Sequence, residues 1–196
     1  MGGVYNTKNN NVYNYSLNNP VKFVDPDGRL AFPWHFAISF VAGLDSGLGF
    51  WKSLELAYES AAADFREGTQ GTNISFTRAH AMGDYYPADS PQKGRPQTIE
   101  EALQSTDDYI SSGLIKDDYG GAVHAAQDKA TPAHGGNLWE GFGFDLKTVK
   151  HIFEDIVPTA STIGKAYDNT KDVISRMPDT IEMDSTNQPM GGGFLD

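Results

Sequence analysis

The sequence predicts an all-α fold, a helical bundle around a His/Asp metal site, preceded by a short irregular or β-like N-terminal segment. Three observations carry that prediction. Apolar residues recur at helical spacing in several separate stretches after residue 30, with no repeat and no strand-rich region among them. Thr98 and Glu101 form a capping-box pair that opens one of these stretches. The stretch AVHAAQDKATPAH, within residues 119–136, sets His124, Asp128 and His134 in the pattern H-x3-D-x5-H. His124 and Asp128 lie one helical turn apart, so their side chains share a face. Around them Ala122, Val123, Ala125 and Ala126 suit close packing in an interior, where an unpaired carboxylate is costly. A buried Asp among imidazoles calls for a cation. Pro132 breaks or kinks the helix, which swings His134 back towards the same point.

Composition bounds the rest. A chain of 196 residues holds one domain with a sizeable core, plus tails. Fifteen Lys and Arg against 26 Asp and Glu leave a formal charge of −11, which argues against partners held by phosphate contacts, so no stable duplex DNA binding is expected. There is no Cys, so disulfides and thiolate metal sites are excluded and a transition-metal site must use His and carboxylates. No basic segment followed by an apolar one opens the chain. The longest apolar run, Leu30 to Leu44 with breaks at Pro33, His35 and Ser39, is too short to span a bilayer. A soluble protein without an N-terminal signal of its own is expected.

Taken in order, residues 1–30 are rich in Asn, Tyr and Gly, with a turn at Asp25-Pro26-Asp27-Gly28, and read as short strands and turns. Pro33 to about Leu44 reads as a buried helix with His35 in its first turn. After Gly47 and Gly49, the residues Trp51, Leu54, Tyr58, Ala61, Ala62 and Phe65 recur at helical spacing, with Asp64 near the end. A polar loop brings Phe76 to His80 and Asp84, and Pro87, Pro91 and Pro96 mark an irregular connection. The capped helix then runs through Leu103 to Ile110, and the His124 helix follows. Gly135 to Phe144 is a Gly-rich aromatic loop. Val149, Ile152, Phe153 and Ile156 stripe a further helix that ends at Pro158. A last helix carries Ala160, Ile163, Tyr167, Thr170, Ile174 and Met177, and residues 178–196 read as a flexible tail.

The N-terminal wording YNYSLNNPVKFVDPDGRL resembles the end of an Rhs-repeat core, which closes on an Asn-Asn-Pro segment followed by Asp-Pro-x-Gly and a Leu. That resemblance implies that residues 1–30 end an Rhs-type shell, cut after Leu30, and that residues 31–177 are a toxin domain delivered into a target cell as a secreted effector. It also implies a cognate immunity protein as partner.

His151 and Asp155 make a second H-x3-D pair, so two helices each offer an imidazole and a carboxylate one turn apart. The helical wheel puts this pair opposite the Val149, Ile152 and Ile156 stripe, where an exposed ion pair is the alternative reading. Together the motifs resemble the zinc-dependent phospholipase C family and the related zinc nucleases that act on single strands. That superfamily's order is an N-terminal His, an Asp, a His, then H-x3-D-x5-H, then H-x3-D/E. Here it is met by His35, Asp64, His80, His124, Asp128, His134, His151 and Asp155. Asp84 is a rival for the place of Asp64. The resemblance puts Asp64, His80, His124 and Asp128 around one zinc, and His134, His151 and Asp155 around a second. A third is shared by Asp128 and His35, so two or three Zn2+ ions are implied. Clustered cations activate water and stabilise the attacking and leaving oxygens of a phosphodiester. Asp64 is the carboxylate assigned to orient or deprotonate that water, as the catalytic residue. An all-His/carboxylate set suits Zn2+ better than Mg2+ and is also compatible with Mn2+ or Fe2+.

The first expectation is therefore a phospholipase C-like hydrolase acting on a phospholipid or other phosphodiester, with Trp139, Phe142 and Phe144 as substrate-binding aromatics that could meet a membrane surface. The same aromatics could close the core, or stack bases in a single-strand nuclease. A third reading is a non-enzymatic structural or pore-forming Rhs tip with coincidental histidines.

Overall fold

The computed structural model of the chain describes residues 32–66, 73–139 and 158–178. The Rhs-like segment with its Leu30 cleavage point, the His151-Asp155 pair, Phe142, Phe144 and the tail beyond residue 178 lie outside the described residues. The described residues are helical, with two isolated bridges, Gly83 with Leu138 and Tyr85 with Pro96, in place of a sheet. The expected all-α bundle is what the chain forms.

Helix α1 is Phe32–Asp45 and α2 is Phe50–Ala62, continued by a 3-10 turn at Ala63–Phe65. A short α3, Ile74–Thr77, runs into a second 3-10 turn at Arg78–His80. Then come α4, Ile99–Ile115, α5, Tyr119–Asp128, and α6, Ala160–Ser175. The polar loop expected before His80 is thus partly helical. Its start is set by Asn73, whose side chain accepts the Ser75 N–H at 2.9 Å. The capping box expected on α4 is complete: Thr98 Oγ1 accepts the Glu101 N–H at 3.2 Å, and Glu101 Oε2 accepts the Thr98 N–H at 2.9 Å.

Helix α5 is the axis of the fold. It packs against α1, α2, α4 and α6, and every residue from Gly120 to Asp128 is buried. Ala122, Val123, Ala125 and Ala126 meet Ala42, Leu56, Ile110, Val173 and Ile174 in the main core. Such a helix cannot present large side chains all round, because its neighbours approach too closely. At Gly120 a Cβ would stand 2.3 Å from the Glu59 Cβ, so only glycine lets α5 come this near to α2.

The inner face of α2 differs from the expected stripe. Ser53, Leu56, Ala57, Ser60 and Ala61 face the core, whereas Trp51, Tyr58 and Phe65 are 72%, 64% and 76% exposed. Small side chains win the inner face because α1 and α5 press against it from both sides. Helix α1 does bury His35, Ile38, Ser39, Ala42 and Gly43 as expected of a core helix, but its other side is open to solvent and apolar.

Candidate metal centre

Asp128 stands at the C-terminal end of α5, fully buried. Four of the five histidines in the chain converge on its carboxylate. His35 Nε2 lies 3.4 Å from Oδ1. Around Oδ2 lie His80 Nδ1 at 3.1 Å, His124 Nε2 at 3.2 Å and His134 Nδ1 at 3.4 Å. Each comes from a different place in the chain: the first turn of α1, the 3-10 turn after α3, the preceding turn of α5 itself, and the turn that follows it. Asp64, on the 3-10 turn that prolongs α2, adds Oδ1 at 3.4 Å from His124 Nε2 and 3.8 Å from His80 Nδ1.

Helix α5 ends at Asp128, four residues before Pro132. The chain then closes a tight turn, with Thr131 donating through both N–H and hydroxyl to the Asp128 carbonyl at 3.0 and 2.8 Å, and the His134 N–H donating to the Thr131 carbonyl at 3.2 Å. This is how His134 returns to the carboxylate. Gly136, at φ 83°, ends the turn and donates its N–H to the Ala81 carbonyl at 2.7 Å, joining the His134 turn to the His80 segment.

Hydrogen bonds on the far side of two rings decide their tautomers. The His124 Nδ1–H donates to the Ser60 carbonyl at 3.0 Å, so its Nε2 faces inward, 2.9 Å from His80 Nδ1 and beside the Asp64 and Asp128 carboxylates. Gln127 spends both protons of its Nε2 on Ser39 Oγ, at 2.8 Å, and Thr170 Oγ1, at 2.9 Å. Its Oε1 therefore accepts the His35 Nδ1–H at 2.5 Å, and His35 Nε2 is a lone pair facing Asp128 Oδ1. His35 Nε2 and Asp128 Oδ1 are both buried and have no hydrogen-bond partner among the described residues. Lone pair against carboxylate is repulsive unless a cation lies between them. Histidines oriented from behind by a carbonyl, their inner nitrogens turned towards carboxylates, are the arrangement metal ligands need.

Charge accounting agrees. Asp64 and Asp128 bring two negative charges into a site 5% and 0% exposed, and among the described residues every ion-pair partner of Asp128 is an imidazole. Burial alone would raise the Asp128 carboxyl, but the charges of His124 and His134 and their hydrogen bonds hold it well below the usual carboxylate range. The anion is thus kept at neutral pH and needs positive charge close by. Among the described residues two groups could hold a metal ion: His35 with His124 and Asp128, and Asp64 with His80 and His124, the ligand atoms within each group lying within 4.8 Å of one another. An all-His/carboxylate donor set of this kind fits a transition metal.

Of the sequence-predicted residues, the structure brings together His35, Asp64, His80, His124, Asp128 and His134. Asp84 belongs to neither group. Its Oδ1 accepts the Tyr85 N–H at 2.6 Å, and burial pushes its carboxyl up while that bond pulls it down. Trp139 is nearly buried, at 9% exposure, with its backbone N–H donated to the Gly83 carbonyl at 2.8 Å. Comparison of the chain with protein-family models, with curated proteins and with solved structures finds no match. Gln127 and Ser60 were not singled out as supports of the site. The Gln beside Asp128 was a visible signal; a backbone carbonyl such as that of Ser60 leaves none.

Proposed function

We propose that the chain is a metal-dependent phosphodiester hydrolase of the phospholipase C type, using two or three Zn2+ ions, and that it is the toxin part of an Rhs-type effector with a cognate immunity protein. The observation that carries the reading is the convergence of four imidazoles on one buried carboxylate, with Asp64 beside them. Four imidazoles and two carboxylates can hold more than one cation, and the order of these residues along the chain is the one in the resemblance drawn above. Bound cations would supply Lewis-acid charge to a water and to the phosphodiester oxygens. The chain's own residues do the rest. Asp128, wholly enclosed, holds the donors together. Asp64, less deeply buried, is the carboxylate placed to orient an incoming water and take its proton. Ser60 and Gln127 orient the rings of His124 and His35 so that Nε2 of each faces the carboxylates.

The test measures metal per chain in purified protein and turnover of phosphatidylcholine and single-stranded DNA side by side, each with and without a chelator. Zinc at two or more per chain and chelator-sensitive release of phosphocholine are expected. DNA turnover alone would make the protein a single-strand nuclease. Zinc-free protein indifferent to chelator would leave a non-catalytic Rhs tip.

A further inference from the structure

From Phe32 to Leu44, α1 carries no Asp, Glu, Lys or Arg, and its one ionisable side chain, His35, is fully buried. Its solvent side is apolar over four turns. Six aromatic rings run in contact across the outer surface of α1 and α2. Phe65 meets Phe32 with ring centroids 6.1 Å apart, Phe32 meets Phe36 at 6.5 Å, and Phe36 meets Phe40 at 6.3 Å. Phe40 then meets Phe50 edge-on at 5.6 Å, and Phe50 meets Trp51 at 5.1 Å. Phe50, Trp51 and Phe65 are 54%, 72% and 76% exposed. A contiguous aromatic strip of this length marks a surface that something apolar covers.

We propose that this strip docks on the surface of a zwitterionic phospholipid bilayer, with α1 and α2 lying in the interface. The inference rests on the phospholipase reading, because the substrate class is what selects lipid as the occupant. Three observations point the same way. The α1 part of the strip, Phe32 to Leu44, offers no charge to an ionic partner, and a chain of net charge −11 is repelled by an anionic leaflet, so attraction must come from apolar insertion into a neutral one. Its rings are Phe and Trp, whose flat faces suit the headgroup boundary, and no described helix is long and apolar enough to cross a membrane, so the strip lies on the bilayer. It is also continuous with the metal centre: Phe65 follows Asp64 in the chain, and Phe32 and Phe36 flank His35 on α1. A lipid surface against the strip is therefore held at the Asp64 edge of the site.

The experiment uses the full chain and phosphatidylcholine vesicles, reading co-sedimentation and the blue shift of tryptophan emission. Alongside, it reads turnover of vesicle phosphatidylcholine and of a short-chain phosphatidylcholine dispersed as monomers. Wild type should sediment with vesicles, and Trp51→Ser should lose most of the blue shift. The double variant Phe50→Ser/Trp51→Ser should bind vesicles and hydrolyse them about tenfold less well or worse, with monomer turnover kept. Val41→Asp, which sets a charge in the strip at an exposed position without removing a ring, should do the same and guards against a folding defect in the double variant. Wild type left in the supernatant, or variants that bind as wild type does, would overturn the proposal. So would a dimer that the variants dissociate, which would make the strip a contact between copies. If wild type binds vesicles through the strip but hydrolyses neither substrate, docking stands and the hydrolase reading fails.

Discussion

Gln127 and His35 are joined by a buried hydrogen bond from the ring Nδ1 to Oε1, across 92 positions of the chain. Both protons of the Gln127 amide are held by Ser39 and Thr170, so α1, α5 and α6 together determine which nitrogen of His35 faces Asp128. Gln127→Ala should weaken metal binding by about 10–100-fold, as loss of such an outer contact does, and destabilise the fold by about 1–3 kcal/mol through the groups left unpaired. Gln127→Glu keeps an acceptor for His35, and the Ser39 hydroxyl can rotate to donate while that of Thr170 is held by the Ala166 carbonyl at 2.8 Å, so it should restore part of the affinity. Chelator competition on the purified variants reads both. Equal affinity in Gln127→Ala and wild type would mean that His35 needs no orienting partner.

His124 and Asp128 are shared by the whole centre, so losing either leaves several buried groups without their counterpart. His124→Ala and Asp128→Ala should abolish turnover, and chelator should lower the thermal midpoint of wild type but not of these variants, since the metal stabilises only the form that binds it. Wild-type turnover in either variant would remove the metal-site reading.

The residues that were legible in the sequence are those whose partners are close in the chain. His124 and Asp128 declare themselves by one helical turn, and Thr98 and Glu101 by the spacing of a capping box. Pro132 was read as the feature that returns His134; the helix in fact ends at Asp128, and the Thr131 bonds make the turn. Long-range partners were harder. Asp64 was separated from Asp84 only by the fold, since both precede or follow a candidate ligand at a plausible distance. The stripe of Trp51, Tyr58 and Phe65 shows helical period but not direction. Which side of α2 faces inward depends on how closely α1 and α5 approach, and close approach selects Ser53, Ala57 and Ser60 over the large rings.

Helix α4 should depend on its capping box. Thr98→Ala is expected to cost about 1 kcal/mol, a fall of about 2–4 °C in the thermal midpoint for a chain of this size. Arg95 and the Thr98 N–H, the Arg95 hydrogen bond foremost, hold the Glu101 carboxyl down to about 2, against an ordinary 4.5. A depressed folded-state value means that Glu101 contributes its stability above the ordinary value and loses it as pH falls from 4.5 towards 2. Denaturation of Glu101→Gln and wild type should therefore differ at neutral pH and converge towards pH 2. A difference constant across that range would assign the effect to packing.

Two glycines on buried and open helices should respond to the same substitution with opposite sign. In α5, Gly120→Ala places a Cβ 2.3 Å from the Glu59 Cβ and 2.8 Å from the Glu59 carbonyl carbon, and neither is the end of a flexible side chain. Helix α5 must then move off α2, at a cost of about 1–3 kcal/mol. Because His124 on α5 donates to the Ser60 carbonyl on α2, that movement lengthens the bond that orients its ring, so metal affinity should fall along with stability. In α6, Gly164 has nothing among the described residues within 4 Å of an added Cβ, and Gly164→Ala should stabilise by about 0.5–1 kcal/mol with metal affinity unchanged. Urea denaturation and chelator titration of the two variants separate the effects. If Gly120→Ala loses stability yet binds metal as wild type does, the spacing of α2 and α5 supports the core but not the ligand geometry.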